Sequence, residues 1–328
     1  MAGNFSESPR REPPVPHAPT VGARGQFWAI VLAGGEGVRL RPLTRRLYGQ
    51  ERPKQYAALV GSRSLLRQTL DRVALAVPSE RTVIVTNRGH AQYIAGEFPG
   101  GSPAQLLVQP EDRGTAAGVL FPAEWIHWRD PEATVAVFPS DHFILEETTF
   151  MKYVAEVAAF VSRDPQRIVL LGAQATEPET DYGWIEPGEP VGWTEAGPVR
   201  GVARFWEKPS PEMARSCLAN GCLWNTLIMV SKASTLIEIG RRFLPNLQDR
   251  LARIAPFAGT DDEPWATQQA YTLAPKASFS RSILERCPPC LSVSQLPAIT
   301  WSDWGTPNRV LDSLRRAGIS HLWLTELE

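Results

Sequence analysis

The chain has 328 residues, 43% of them hydrophobic and 21% charged, with a formal net charge of −1. That is enough ordinary globular material for one large core or two domains, and it carries no overall basic field to recruit nucleic acid. No stretch approaches the roughly 20 uninterrupted apolar residues of a membrane-spanning helix, so no membrane partner is expected.

Residues 1–25 are polar and proline-rich, with no apolar core of a signal peptide. They read as a disordered tail that cannot bury enough apolar surface to order itself, on a cytoplasmic protein. From Phe27 the chain alternates short apolar runs with helical periodicity. FWAIVLA (27–33), TVIVT (82–86), AQLLVQ (104–109), TVAVFPSD (134–141) and RIVLLGA (167–173) are β-rich and mostly non-alternating, as strands buried on both faces are. Between them 64–77, 115–128 and 149–162 carry apolar residues at helical spacing. Strand and helix in this alternation predict βαβ units and a Rossmann-like three-layer α/β fold around a mostly parallel mixed sheet. In such sheets ligands bind beyond the carboxyl ends of the strands.

Beyond residue 174 turn-rich segments surround short strands at 184–186 and 199–208. A helix over 211–219, an apolar run over 223–230 and a helix over 233–243 follow, and a last helix is expected over 306–317. The folded unit is expected over 26–318, divided into a first half (26–173) and a smaller second lobe (174–305) packed on the same sheet, with 319–328 as a C-terminal tail. Cys217, Cys222, Cys287 and Cys290 are expected to be reduced thiols in a chain of this size; the metal-ligand spacing of Cys287 and Cys290 lacks an assisting histidine.

The most unusual local sequence follows the first strand. Gly34-Gly35-Glu36-Gly37-Val38-Arg39-Leu40 lets backbone N–H groups approach phosphate oxygens, and Arg39 adds a charge-assisted contact. The dinucleotide pattern G-x-G-x-x-G fails at Leu40, and no Gly-Lys-Ser/Thr of a P-loop follows. A plain glycine turn is the alternative for this segment alone. Next, Pro53 excludes an ordinary helix around Arg52-Pro53-Lys54-Gln55, so Lys54 can project from a shaped loop toward the same phosphates.

LAGGEGVRLRPLT followed by RPKQ resembles the sugar-phosphate nucleotidyltransferases, most closely the mannose-1-phosphate guanylyltransferases. The likeness continues in order through Gln109-Pro-Glu-Asp-Arg-Gly-Thr, Phe138-Pro-Ser-Asp-His142, Asp181-Tyr-Gly-Trp-Ile185, Glu207-Lys208-Pro209, Leu223-Trp-Asn225 and Trp301-Ser-Asp-Trp-Gly305. The resemblance implies transfer of GMP from GTP, or of another nucleotide, to mannose-1-phosphate or a related sugar-1-phosphate. It places Leu32, Ala33, Gly34, Gly35, Gly37, Arg39, Lys54, Glu111, Gly114, Thr115 and Asp141 at the nucleotide. It places Tyr182, Gly183, Glu207, Lys208 and Asn225 at the sugar phosphate, and Asp141 with Asp303 on Mg²⁺. Arg39, Lys54, Asp141 and Asp303 are the expected catalytic set.

The chemistry agrees with those roles. The attacking group is already a phosphate oxygen, so the protein must align two anionic substrates and neutralise developing charge, a task suited to Mg²⁺ held by carboxylates and substrate phosphates. His142, one position past Asp141, is expected to point elsewhere and to be structural. Val38, Gly114 and Leu227 depart from the family's usual threonine, asparagine and glycine. They leave open a thymidylyl-, uridylyl- or cytidylyltransferase on another sugar phosphate, and beyond enzymes a silent nucleotide-sugar-binding regulator. No oligomer surface is legible, so a homo-oligomer stays an open alternative.

Overall fold

The structure, a computed structural model, describes residues 26–319. The expectations for 1–25 and for the C-terminal tail beyond 319 lie outside the described residues. The chain runs β1 (Phe27–Leu32), α1 (Arg41–Tyr48), α2 (Leu65–Val73), β2 (Thr82–Asn87), α3 (Ala91–Glu97), β3 (Gln105–Gln109), α4 (Gly114–Arg129), β4 (Thr134–Pro139), β5 (Phe143–Ile144), α5 (Glu147–Arg163) and β6 (Ile168–Gln174). It continues through β7 (Gly183–Thr194), β8 (Gly197–Glu207), α6 (Pro211–Ala219), β9 (Leu223–Lys232), α7 (Ala233–Phe243), α8 (Pro245–Ala252), α9 (Glu263–Thr272), α10 (Phe279–Ser282), β10 (Leu291–Gln295), β11 (Trp301–Ser302) and α11 (Pro307–Arg316).

Nine strands form one sheet in the order β3-β2-β1-β4-β9-β6-β10-β8-β7. The ladders β3–β2, β2–β1, β1–β4 and β6–β10 are parallel, while β9 and β8 run against their neighbours. This is the mixed, mostly parallel α/β sheet that the non-alternating runs predict. β2 and β4 are buried along their whole length because helices cover both faces, which is why their sequences show no polar alternation. The two faces bury separate cores. One is built around α4, α7 and α10, the other around α2 and α5.

Helix starts follow local chemistry. The Ser64 and Ser210 hydroxyls accept from the backbone N–H groups of Arg67 and Met213, capping α2 and α6, and Thr306 caps α11 in the same way. α4 is buried on nearly every side, so it is apolar all round rather than amphipathic.

Two expectations are corrected. The strands read as 184–186 and 199–208 are one long hairpin, β7 and β8, bent by register shifts at Pro187 and Pro190; those prolines break the sequence pattern without ending the pairing. Cys287 and Cys290 are not reduced thiols. The turn between them brings their Cα atoms to 5.5 Å, and they form a disulfide. Cys217 and Cys222 do remain free and buried, and burial pushes the Cys222 thiol up to about 12. Among the described residues no cluster of three or more His, Cys, Asp or Glu side chains is arranged to hold a metal. No described helix is long and apolar enough to cross a membrane.

Candidate active site

The carboxyl ends of β1, β2, β3 and β4 lie on one edge of the sheet, and the glycine loop, Asn87, Gln109 and Asp141 follow them there. The loop is tied down by its carbonyls. Ala33 O accepts from Gln55 Nε2 (2.9 Å) and the Tyr56 hydroxyl (3.1 Å), Gly34 O from Asn87 Nδ2 (2.7 Å), and Gly35 O again from Gln55 Nε2 (2.8 Å). Among the described residues no acceptor meets the amides of Gly34, Gly35, Glu36 or Gly37. A loop whose carbonyls are anchored and whose amides are unpaired has the donors an anion cradle requires. Gly37 is required by shape: its φ is 57°, and a Cβ there would lie 2.8 Å from the Lys54 backbone nitrogen.

The loop separates two clefts. The first, about 270 Å³, is bounded by Gly37, Arg39, Lys54, Asp141 and Gly305. The second is bounded by Leu32, Gly34, Gly35, Asn87, Gln109, Gly114 and Thr115. Asn87 escaped the sequence reading, and Gln109 entered it only as the first residue of a motif, without a site role. Tyr271 donates to Gln109 Oε1 (3.0 Å), Gln109 Nε2 to Asn87 Oδ1 (3.2 Å), and Asn87 to the loop. Their signal was present, since each is a polar residue ending an apolar strand at the ligand-binding edge. Glu111 lies outside this lining; it is exposed and pairs with Arg113 at 2.8 Å. Thr115 Oγ1 accepts from Phe279 N (2.9 Å), which docks the start of α4 on α10.

Lys54 stands on a 3-10 turn over Lys54–Tyr56 rather than on a free loop, and its side chain is only 7% exposed. Its ammonium lies 3.0 Å from Asp141 Oδ2 and also donates to the carbonyls of Asp303 and Trp304. Residues from three distant parts of the chain therefore meet at one cation. Asp303 Oδ1 accepts from the Tyr182 hydroxyl (2.6 Å), Gly305 N (2.9 Å) and Arg309 Nη1 (3.2 Å). Burial opposes its ionisation, but the Tyr182 hydrogen bond and the nearby cations Lys54 and Arg309 hold its carboxyl below the usual range. Arg309, unpredicted from sequence, also pairs with Glu179 at 2.5 Å and lies over the Tyr182 ring at 4.4 Å.

The expectation that His142 points away is corrected. β4 ends at Pro139, so no strand pleat alternates residues 141 and 142, and His142 Nε2 lies 4.0 Å from Asp141 Oδ1. The ring is nevertheless held structurally: Trp301 donates to Nδ1 at 3.3 Å, and burial lowers the imidazole to about 4, leaving it neutral.

The sugar-side residues converge by strand register. Gly183 pairs with Glu207 on one side and Asn225 on the other. A Cβ at Gly183 would meet Glu207 Oε2 at 3.0 Å and Asn225 Cβ at 3.1 Å, so only glycine leaves the strip between them open. Glu207 is half-buried rather than part of an exposed hairpin pair; burial lifts its carboxyl above the usual range, against the pull of Lys208 and Arg281. Lys208 is exposed, with a φ of 53°, and its backbone N–H donates to Tyr182 O (3.2 Å). Tyr182 itself spends its hydroxyl on Asp303. Arg39 reaches across to Asp181, Nη1 to Oδ2, at 2.6 Å. Leu227 takes a φ of 58° in a bulge of β9, and its side chain packs against the α4-side core.

A divalent cation fits this donor set. Among the described residues Asp141 Oδ1 accepts no hydrogen bond and lies 4.0 Å from His142 Nε2, and Asp303 Oδ2 meets only the guanidinium groups of Arg309 (3.3 Å) and Arg39 (3.9 Å). Hard cations of the Mg²⁺ kind take one or two carboxylates and fill their shell from substrate and water.

Residues 28–316 match the family model described as nucleotidyl transferase. Similar curated proteins include a xanthan biosynthesis protein, XanB, of Xanthomonas campestris pv. campestris (strain B100), 31% identical over 88% of this chain and 60% of its own length. A mannose-1-phosphate guanylyltransferase of Escherichia coli (strain K12) is 27% identical over 87% of this chain and 59% of its own. The chain thus spans about 60% of the length of these relatives. Among solved structures, one described as mannose-1-phosphate geranyltransferase from Thermus thermophilus superposes with a TM-score of 0.69 at 29% identity, covering 85% of this chain and 76% of that one. With the family model spanning nearly all of the described residues, this chain belongs to the nucleotidyl transferase family.

Proposed function

We propose that the protein transfers a nucleotidyl group, GMP from GTP in the favoured reading, to mannose-1-phosphate or a related sugar-1-phosphate, releasing pyrophosphate. The observation that carries this reading is the meeting of Lys54, Asp141 and Asp303 beside a loop of unpaired amides, a few strands from the open strip at Gly183. The relatives named mannose-1-phosphate guanylyltransferase support the choice of substrates.

In this reading the loop amides of 34–37 and the Arg39 guanidinium hold the triphosphate, and Lys54 faces the phosphate being attacked. The second cleft, between Gly34 and Gly114, receives the nucleoside. Glu207 and Asn225 hydrogen-bond sugar hydroxyls while the sugar lies flat on Gly183, and Lys208 meets the sugar phosphate. The incoming oxygen is anionic, so no general base is needed, and the catalytic work is alignment and charge neutralisation. Asp141 and Asp303 would hold Mg²⁺, whose Lewis acidity offsets charge on the phosphate oxygens.

The test is direct. GTP, Mg²⁺ and a panel of sugar-1-phosphates are incubated with the protein, and pyrophosphate is assayed. Release with mannose-1-phosphate is expected; silence with every nucleotide and sugar pair overturns the reading. Asp141→Asn should lower turnover by about two orders of magnitude with its circular dichroism unchanged, the scale of losing one electrostatic stabiliser.

A further inference from the structure

Arg309 has no counterpart in the reaction just described, and its position is unusual. It lies in the first turn of α11, next to the positive end of the helix dipole, where a cation is disfavoured. Its guanidinium nevertheless spends its donors inward. It contacts both oxygens of Asp303 (3.2 and 3.3 Å), pairs with Glu179, and covers the Tyr182 ring that is itself bonded to Asp303. The side chain is 15% exposed, so these contacts are largely shielded from solvent. Gly305 is what lets the arginine close in: a Cβ there would lie 2.4 Å from Asp303 Oδ2 and 3.0 Å from Arg309 Nη1.

The two acids of the site are therefore unequal. Asp141 has one oxygen on Lys54 and the other 4.0 Å from the His142 ring nitrogen. Asp303 has its lone pairs engaged by Tyr182, Gly305 and Arg309 before any cation arrives. We propose that Arg309 is a positioning residue that restrains the Asp303 carboxylate, so that in the substrate-free protein a divalent cation is held by Asp141 with little help from Asp303. Full coordination by both acids then belongs to the substrate-bound state, when phosphate oxygens can take over the guanidinium's hydrogen bonds. This deepens the functional reading above and rests on its metal site.

The experiment is a double-mutant cycle read by Mn²⁺ binding alone, without nucleotide or sugar, using electron paramagnetic resonance of free Mn²⁺. Arg309→Met should bind Mn²⁺ several-fold more tightly than the parent. Asp303→Asn should change the parent's affinity by less than about twofold, yet abolish the gain when combined with R309M. A gain that persists in the double variant means Arg309 acts only as a repelling charge, and it overturns the proposal, as does no gain in R309M. If R309M loses its native circular dichroism, Arg309→Gln carries the same cycle. The cycle is independent of turnover. An intact cycle in a protein that releases no pyrophosphate would refute the transfer reaction and leave the role of Arg309 standing.

Discussion

Gly114 and Gly35 both line the second cleft, proposed above to receive the nucleoside, but the physical demand on them differs. Gly114 has a φ of 81°, and a Cβ would fall 2.3 Å from the Ala277 carbonyl oxygen, which is backbone and cannot step aside. An asparagine at this position would clash in the same way, so the departure from the usual family residue follows from how tightly 113–116 docks on 276–279. Gly35 has an ordinary φ and nothing within 4 Å of its would-be Cβ. Gly114→Ala should therefore lose on the order of 2–4 kcal/mol, from left-handed strain plus the clash, and show a thermal midpoint lowered by several degrees. Gly35→Ala should melt within about a degree of the parent, since an exposed change of this kind is worth less than about 0.5 kcal/mol. Its methyl group would stand in the cleft, and GTP affinity measured by calorimetry should fall. Equal melting of the two variants would contradict this division.

At the scale of elements, the parallel half of the sheet was legible because burial on both faces imposes continuous apolar runs at β1, β2 and β4. Less legible was the stretch from 244 to 300, where α8, α9 and α10 are short and the sequence reading assigned no element. β5 and β11 were invisible, for they are two-residue strands paired only with each other. The motif residues of the site could be placed in order from resemblance, but Asn87 and Arg309 could not, because their roles arise from contacts between distant segments.

α4 carries a further element-scale consequence. Its Glu124 is buried, accepts from Gln248 Nε2 at 2.6 Å, and has Arg241 at 4.0 Å. Burial raises its carboxyl above the usual range, although Gln248, Arg241 and His127 pull the other way. A raised folded-state value means the folded protein holds this proton more tightly than the unfolded chain. The contribution to stability is therefore complete below the ordinary carboxyl range and is lost as pH rises through the raised value. Glu124→Gln keeps the acceptor oxygen and supplies a donor beside the unpartnered Gln248 Oε1. The variant should melt higher than the parent at pH 8, with the difference shrinking toward pH 4. A lower melting point at pH 8 would show that the Arg241 attraction outweighs desolvation.

For the molecule as a whole, the site lies between distant parts of the chain on one continuous sheet, and the pairings of opposite charge at the glycine-loop cleft include an exposed one, Arg39 with Asp181, 142 residues apart. Both side chains are about half exposed, at 49% and 46%, so the pair is screened and adds little to folding. Its effect should instead fall on binding. In the proposed reading Arg39 is the loop cation that meets the triphosphate, and a nucleotide must then draw it from Asp181 before using both of its faces. Asp181→Asn removes that competitor and leaves the loop amides, Lys54 and both metal-site acids in place. Nucleotide affinity, titrated calorimetrically at low salt, should rise by about two- to fivefold, the range for an exposed pair worth roughly 0.4–1 kcal/mol. The gain should shrink as ionic strength rises and screens the pair being broken. If affinity falls in D181N, Asp181 is aligning Arg39 for the nucleotide rather than withholding it, and the bridge across the cleft belongs to the closed, working form of the molecule.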